Sequence, residues 1–320
     1  MSLSALNYPP LVALSGLGLG ASLPMIEQFA TNSPWATLRI VNLISYGINF
    51  VSVQRPGRMD GQAAEDGELS PRSGKTLVAP SGWAFAIWGP IFLGELVGVA
   101  ASFFIKESDP IVELFRKTSG PFITAQLFQT LWCAAFRPKY KGASMLISTG
   151  MLSATAYSLS KAHAAFTANP QLYSNLQYGI FFLPMALHFG WTTAASLVDL
   201  NGSVSMQKNS SSSIIKYVGH VSVLAASALG IYIAKTRNAP VYAGVIAWAL
   251  SAVADGMKKR LADAADTDGK KKKKDKNDVG GLDGAKMQYM LSRAGAVINA
   301  LAAAFVAGSM STSSKSVPTP

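Results

Sequence analysis

One cysteine, three histidines and a charged fraction of 14% are what this 320-residue chain has little of, and each shortage closes off a class of protein. A single thiol, Cys133, excludes a disulfide framework and a thiolate metal site. The histidines, His163, His188 and His220, are too scattered for a His-rich metal site. Soluble domains carry about a quarter charged residues. A chain with 14% charged and 49% hydrophobic residues is too apolar to be one. Catalytic signatures are missing as well: there is no Gly-rich phosphate loop, no His-Glu-x-x-His helix and no Gly-x-Ser-x-Gly elbow. No pair of carboxylates inside an apolar run is spaced for hydrolysis, so the chain does not read as an enzyme. Residues 1–38 contain no Lys or Arg, which argues against a signal peptide's positive region and an Arg-rich transit peptide. The first 36 residues are expected to form a loose or interfacial segment, because the apolar stretch 11–21 is short and Gly-rich and is followed by Pro24 and Glu27.

Apolar runs are what the chain has in abundance. Eight can be read as membrane-spanning helices, at 37–54, 82–105, 120–136, 144–165, 174–200, 214–234, 239–257 and 288–311. The fold class is therefore all-α, a polytopic transmembrane helix bundle. The second run is about 24 residues long, enough to cross a ~30 Å hydrocarbon core. It opens on Pro80-Ser81-Gly82-Trp83-Ala84-Phe85-Ala86-Ile87-Trp88, a helix-breaking turn followed by two Trp of the kind that gather where water meets hydrocarbon. The net charge of +11 does not point to nucleic acid. Ten of the 28 basic residues lie between Lys258 and Lys286, in a loop, 258–287, expected to be disordered. The tail 312–320 is expected to be disordered too. Lys/Arg bias favours one side of the membrane by eighteen to six, which places the lysine-rich loop in the cytosol or its topological equivalent and both termini opposite.

Polar residues inside spans are costly and mark functional candidates. Glu95 sits mid-span, either as a satisfied structural carboxyl or as a ligand or proton contact. Gln126, Gln129 and Trp132 share one face of the third span at i, i+3 and i+6. Both amides fit helix-to-helix hydrogen bonding as well as a ligand. His188 and Trp191 stand three apart on the fifth span, and His188 reads as a core histidine ahead of a haem ligand. Asp199 falls at the end of that span and is expected to face water.

Three segments carry a family resemblance. They are Pro80–Gly89, Gln126-Leu127-Phe128-Gln129-Thr130-Leu131-Trp132-Cys133-Ala134-Ala135-Phe136, and Leu183-Pro184-Met185-Ala186-Leu187-His188-Phe189-Gly190-Trp191-Thr192-Thr193-Ala194-Ala195. Over 37–200 the chain resembles the TspO/MBR family, the tryptophan-rich sensory proteins related to the mitochondrial translocator protein. The longer branch, with further spans after the five-helix core, is the more similar, and Asn42 and Asn49 fit it. The resemblance implies a five-helix core at 37–200 with 55–80 as a lid. It also implies two additional spans within 201–257 and a last one at 288–311. It further implies a pocket approached by Trp83, Phe85, Trp88, Gln126, Trp132, Trp191 and Ala195; Pro80, Glu95, Gln129 and His188 complete the set of candidate ligand-binding residues. Family members bind tetrapyrroles such as haem and protoporphyrin. No cofactor is required on this reading; haem or protoporphyrin would be the ligand.

The function implied is an integral membrane receptor or carrier for an apolar, tetrapyrrole-like ligand, with a stress- or redox-regulatory role. The alternatives are a secondary transporter coupled through Glu95, which the lack of an internal repeat counts against, and a structural subunit of a membrane complex. Membrane lipid, an apolar small molecule and a second copy of the chain are the partners left open.

Overall fold

The structure, a computed structural model, describes residues 8–60, 76–267 and 280–315. Among them there is no strand. The helices are α1 (Pro9–Ala21), α2 (Leu23–Asn32), α3 (Trp35–Val53), α4 (Trp88–Ala101), α5 (Ile111–Ala135), α6 (Leu146–Thr167), α7 (Leu183–Ser205), α8 (Ser212–Arg237), α9 (Pro240–Thr267) and α10 (Gly281–Lys315). A 3-10 turn, Gly82–Ile87, leads into α4, and a π-helical turn, Tyr178–Phe182, leads into α7. Six helical stretches are long and apolar enough to cross a membrane: Trp35–Val53, Gly82–Phe104, Asn175–Ser205, Ser212–Arg237, Pro240–Ala265 and Gly281–Met310. The protein is an integral, multi-pass membrane protein.

Two expected spans, 120–136 and 144–165, fall on α5 and α6, which are not apolar enough to count on composition alone. Burial in protein explains this. Eighteen of the 25 residues of α5 are buried, so the helix can carry Thr118, Gln126 and Gln129 where a lipid-facing helix could not. On α6, likewise, Ser148, Thr155 and Ser158 are fully buried.

The chain packs as two units, Met1–Met59 with Ala86–Ser196, and Asp60–Phe85 with Leu197–Pro320. In the first, α5 is the axis. Helices α1, α2, α3 and α6 lie on it, while α4 packs on α3 and on the π turn. The amino-terminal segment is helical rather than loose. It runs antiparallel to α5: Val12 packs with Ala135, Tyr140 and Met145, Leu19 and Leu23 lie against the Phe128–Trp132 cluster, and the Arg116 guanidinium donates to the Ser33 carbonyl. Glu27 lies where α5 has Gly120, and pairs with Lys161 on α6. From Arg116 to Ala135 the axis rises about 28 Å at 1.5 Å per residue, close to the ~30 Å of a hydrocarbon core. Helices α1 and α2, bent 50° at their junction, thus traverse the whole depth of the unit. The start of α1 then lies at the same end of the unit as the loop bearing Arg137, Lys139 and Lys141, whereas Lys/Arg counting put the chain's start opposite the basic side. A tag on Met1 and a cysteine replacing Lys139 should be accessible from the same face of sealed vesicles. Access from opposite faces would refute this path.

In the second unit α8, α9 and α10 pack together. Polar side chains join α8 to α10, where His220 Nδ1 lies 2.6 Å from Gln288 Oε1 and Gln288 Nε2 donates to the Gly219 carbonyl at 3.2 Å, and join α7 to α8, where Asn201 Nδ2 donates to Ser222 Oγ at 2.8 Å. Asn238, with φ of 48°, ends α8 in the left-handed conformation. Helix α7 continues to Ser205, five residues past the expected span, so Asp199 is buried rather than wet. The expected disordered loop 258–287 is helical at both margins, since α9 reaches Thr267 and α10 begins at Gly281. The Lys270–Lys274 run, most of the expected lid (61–75) and the last five residues lie outside the described residues. The tail expected from 312 onward is helical as far as Lys315.

Candidate functional site

The apolar spans of the first unit place one polar residue after another on inward faces. Asn42, Ser45, Tyr46 and Asn49 are buried on one side of α3, at spacings of three, four and seven. Phe92 and Glu95 do the same on α4, with Trp88 half-buried a turn before them, as do Gln126, Gln129 and Trp132 on α5, and His188 and Trp191 on α7. The result is a hydrogen-bonded chain through the bundle. Glu95 Oε1 lies 2.7 Å from His188 Nδ1, and Glu95 Oε2 accepts from Gln126 Nε2 at 2.9 Å. Asn49 Nδ2 donates to Gln126 Oε1 at 2.6 Å and to Gln129 Oε1 at 2.7 Å. Asn49, Gln126, Gln129 and His188 are 0% exposed and Glu95 is 3% exposed.

The chain has a direction, and Glu95 sets it. Glu95 Oε2 accepts from the Gln126 NH₂, which leaves the Gln126 carbonyl to accept from Asn49. The Asn49 amide then serves both glutamine oxygens. What remains at the far end is Gln129 Nε2, a donor with no partner among the described residues.

Gln129 lines a cavity of about 260 Å³. Its walls are aromatic: Phe50 from α3, Trp88 and Phe92 from α4, and Trp132 from α5. Val53, Gln54, Arg58 and Gly89 complete the lining. Trp88 stacks on Phe92 with centroids 5.3 Å apart, and meets His188 and Trp191 edge-on at 5.7 and 6.1 Å. The Arg58 guanidinium carbon lies 5.6 Å from the Trp132 ring centre, within cation–π range. Trp132 Nε1, like Gln129 Nε2, finds no partner among the described residues. A second cavity, of about 30 Å³, touches Glu95, Asn42, Thr118 and Ser119, and has room for a single water.

The structure brings together Trp88, Glu95, Gln126, Gln129, Trp132, His188 and Trp191. Ala195 packs on the edge of the Trp132 cluster. It does not bring Pro80, Trp83 and Phe85 into that unit. Those three belong to the second unit, where Trp83 Nε1 donates to Asp255 Oδ2 at 3.1 Å and its ring meets Trp248 edge-on at 4.7 Å. Sequence reading missed Phe50, Arg58 and Phe92 on the wall and Asn49 as the hub of the chain. A signal for Asn49 was present: Asn42 and Asn49, two turns apart on an otherwise apolar helix, mark an inward polar stripe.

The fold is an all-α membrane bundle, and its first unit carries an aromatic-lined cavity. The family model of TSPO-like proteins matches residues 39–262, and the chain belongs to that family. No curated protein and no solved structure matches the chain. The match extends well past the five-helix region, so α8 and most of α9 are part of the family domain rather than an appendage.

Proposed function

We propose that the protein is a non-enzymatic membrane receptor or carrier whose first unit binds a flat, apolar, tetrapyrrole-like ligand bearing carboxylate or carbonyl acceptors. One observation carries this reading: the walls of the cavity are aromatic, and its buried unpartnered polar atoms, Gln129 Nε2 and Trp132 Nε1, are both donors. Arg58 adds a cation at the rim. Apolar pockets with a few fixed polar groups orient small ligands in this way, and donors select acceptors. A porphyrin matches in kind, with π-faces for Trp88 and Trp132 and propionates for Arg58. At about 260 Å³ the cavity lies near the lower end of small-molecule sites, roughly 300–1,000 Å³, so a whole macrocycle requires the walls to part.

Purified protein in nanodiscs, titrated with protoporphyrin IX, its dimethyl ester and haemin and read by tryptophan quenching, tests the proposal. Saturation at micromolar free acid, weaker binding of the ester, and loss of that preference in Arg58→Gln are expected. Equal affinity for acid and ester would remove Arg58 as the partner of a ligand carboxylate. No saturation with any of the three would remove the ligand class.

The buried Glu95–His188 pair supports a second reading, a transporter that couples solute movement to a proton held between them. Proton-driven flux in proteoliposomes should then disappear in Glu95→Gln, and unchanged flux takes Glu95 out of such a mechanism.

A further inference from the structure

Within the first unit, the aromatic cavity meets α4 at Trp88, Gly89 and Phe92. The smaller cavity, of about 30 Å³, meets the same helix further on, at Glu95, Gly98, Val99 and Ser102. Spacings of three, four and seven put these four residues on one face. They run from mid-span to Ser102, where the 3-10 turn Ser102–Phe104 ends the span. At 1.5 Å per residue that is a depth of about 10 Å, and it gives the void an approach from the end of the span.

The polar lining of this void is almost all acceptor. Thr118 Oγ1 spends its proton on the Leu114 carbonyl at 3.0 Å, and Ser102 Oγ spends its own on the Val99 carbonyl at 2.7 Å. Both hydroxyl oxygens keep lone pairs. Asn42 Nδ2 donates to Ser119 Oγ at 2.9 Å, while Asn42 Oδ1 has no partner among the described residues. Glu95 brings a carboxylate, and no Lys or Arg lines the void among the described residues. All five of these polar residues are more than nine-tenths buried.

Oxygen donors around a small space suit a hard cation. A water molecule fits the space and can donate twice, but it brings no charge to a carboxylate that is 3% exposed. One carboxylate among neutral oxygens suits a single positive charge, since calcium sites gather more acidic ligands. A void of one water's size favours Na⁺, which is no larger than a water molecule.

We propose that this void is a Na⁺ site, with Asn42 Oδ1, the Glu95 carboxylate and the hydroxyl oxygens of Ser102, Thr118 and Ser119 as its oxygen donors. The ion ties α3 to α4 and α5 and balances the Glu95 charge, with His188 donating through Nδ1 as a neutral imidazole. The site is independent of whatever ligand the aromatic cavity takes.

The test is thermal unfolding of the full chain in detergent, with NaCl replacing choline chloride at fixed ionic strength. Wild-type protein should gain roughly 3–6 °C in Tm at about ten times the Na⁺ Kd, and KCl should give a smaller shift. An equal shift from KCl is a general salt effect and overturns the proposal. No shift from NaCl overturns it too, and leaves water as the occupant. Asn42→Ala should weaken Na⁺ roughly tenfold or more, read as displacement of the Tm titration to higher Na⁺ whatever the starting Tm. Binding of ²²Na⁺ to purified wild-type protein should saturate near one ion per chain. Should Asn42→Ala not fold, Ser119→Ala gives the same reading from the neighbouring oxygen. An unaltered Na⁺ titration in the variant that folds overturns the site.

Discussion

Glu95→Ala is expected to be the most damaging single substitution in the first unit. It removes the acceptor for both His188 Nδ1 and Gln126 Nε2, and with it the group that orients the amides of Gln126, Asn49 and Gln129. Two magnitudes compete. Hydrogen bonds between membrane helices average only about 0.6 kcal/mol, because partners are also found in the unfolded state. Leaving a buried polar group without its hydrogen-bond partner costs about 1–3 kcal/mol for each group stranded, because the survivor stays desolvated. The second governs here, since two such groups are stranded at once, on His188 and Gln126, and both residues are 0% exposed. We expect a loss of about 3 kcal/mol, which at roughly 2–4 °C per kcal/mol for a unit of this size lowers Tm by roughly 6–12 °C. Thermal unfolding in detergent measures it. Glu95→Gln, which keeps one acceptor oxygen, should lose less than half as much. A wild-type Tm in Glu95→Ala would show that the chain of bonds adds nothing to stability.

Trp132→Ala should have the largest effect on ligand binding. An indole buries 150–250 Å² in a packed site, and Trp132 lines the cavity with one face while stacking on Phe136, centroids 5.1 Å apart, with the other. Losing about 80 Å² of ligand contact at ~25 cal/mol/Å² weakens binding by on the order of 2 kcal/mol, about 30-fold. Trp191→Ala should weaken it less, because Trp191 reaches the site only through its edge contact with Trp88. Equilibrium titration of both variants in nanodiscs gives the comparison, and an equal loss in the two would contradict the placement of the cavity between α3, α4 and α5.

The helices were legible in the sequence because hydrocarbon imposes long apolar runs, and each of the eight runs falls on a helix. What periodicity could not supply was partnership. Pro80 and Trp83 stand only five to eight residues before Trp88, so a linear reading groups them at one rim. What it cannot show is that Ser81 and Trp83 bond to Asp255, and that Ala79 lies against Gly256, some 170 residues later. Glu95 and Gln126 were singled out as costly inside a membrane, and cost alone identified them. That Asn49 joins them needed the register of α3 on α5, which no single helix encodes. The amino-terminal helices escaped notice for the opposite reason. Glycines and a bend at Ser22 disguise a segment long enough to cross the membrane only when α1 and α2 are added together.

The most direct test of the central claim, that the ligand lies between Trp88 and Trp132 in the first unit, is photolabelling with a diazirine-bearing protoporphyrin followed by peptide mapping of the cross-linked residues. Adducts at Phe50, Arg58, Trp88 or Trp132, suppressed by excess protoporphyrin, are the predicted result. Competable adducts confined to residues 212–310 would place the binding site in the other unit and contradict the account.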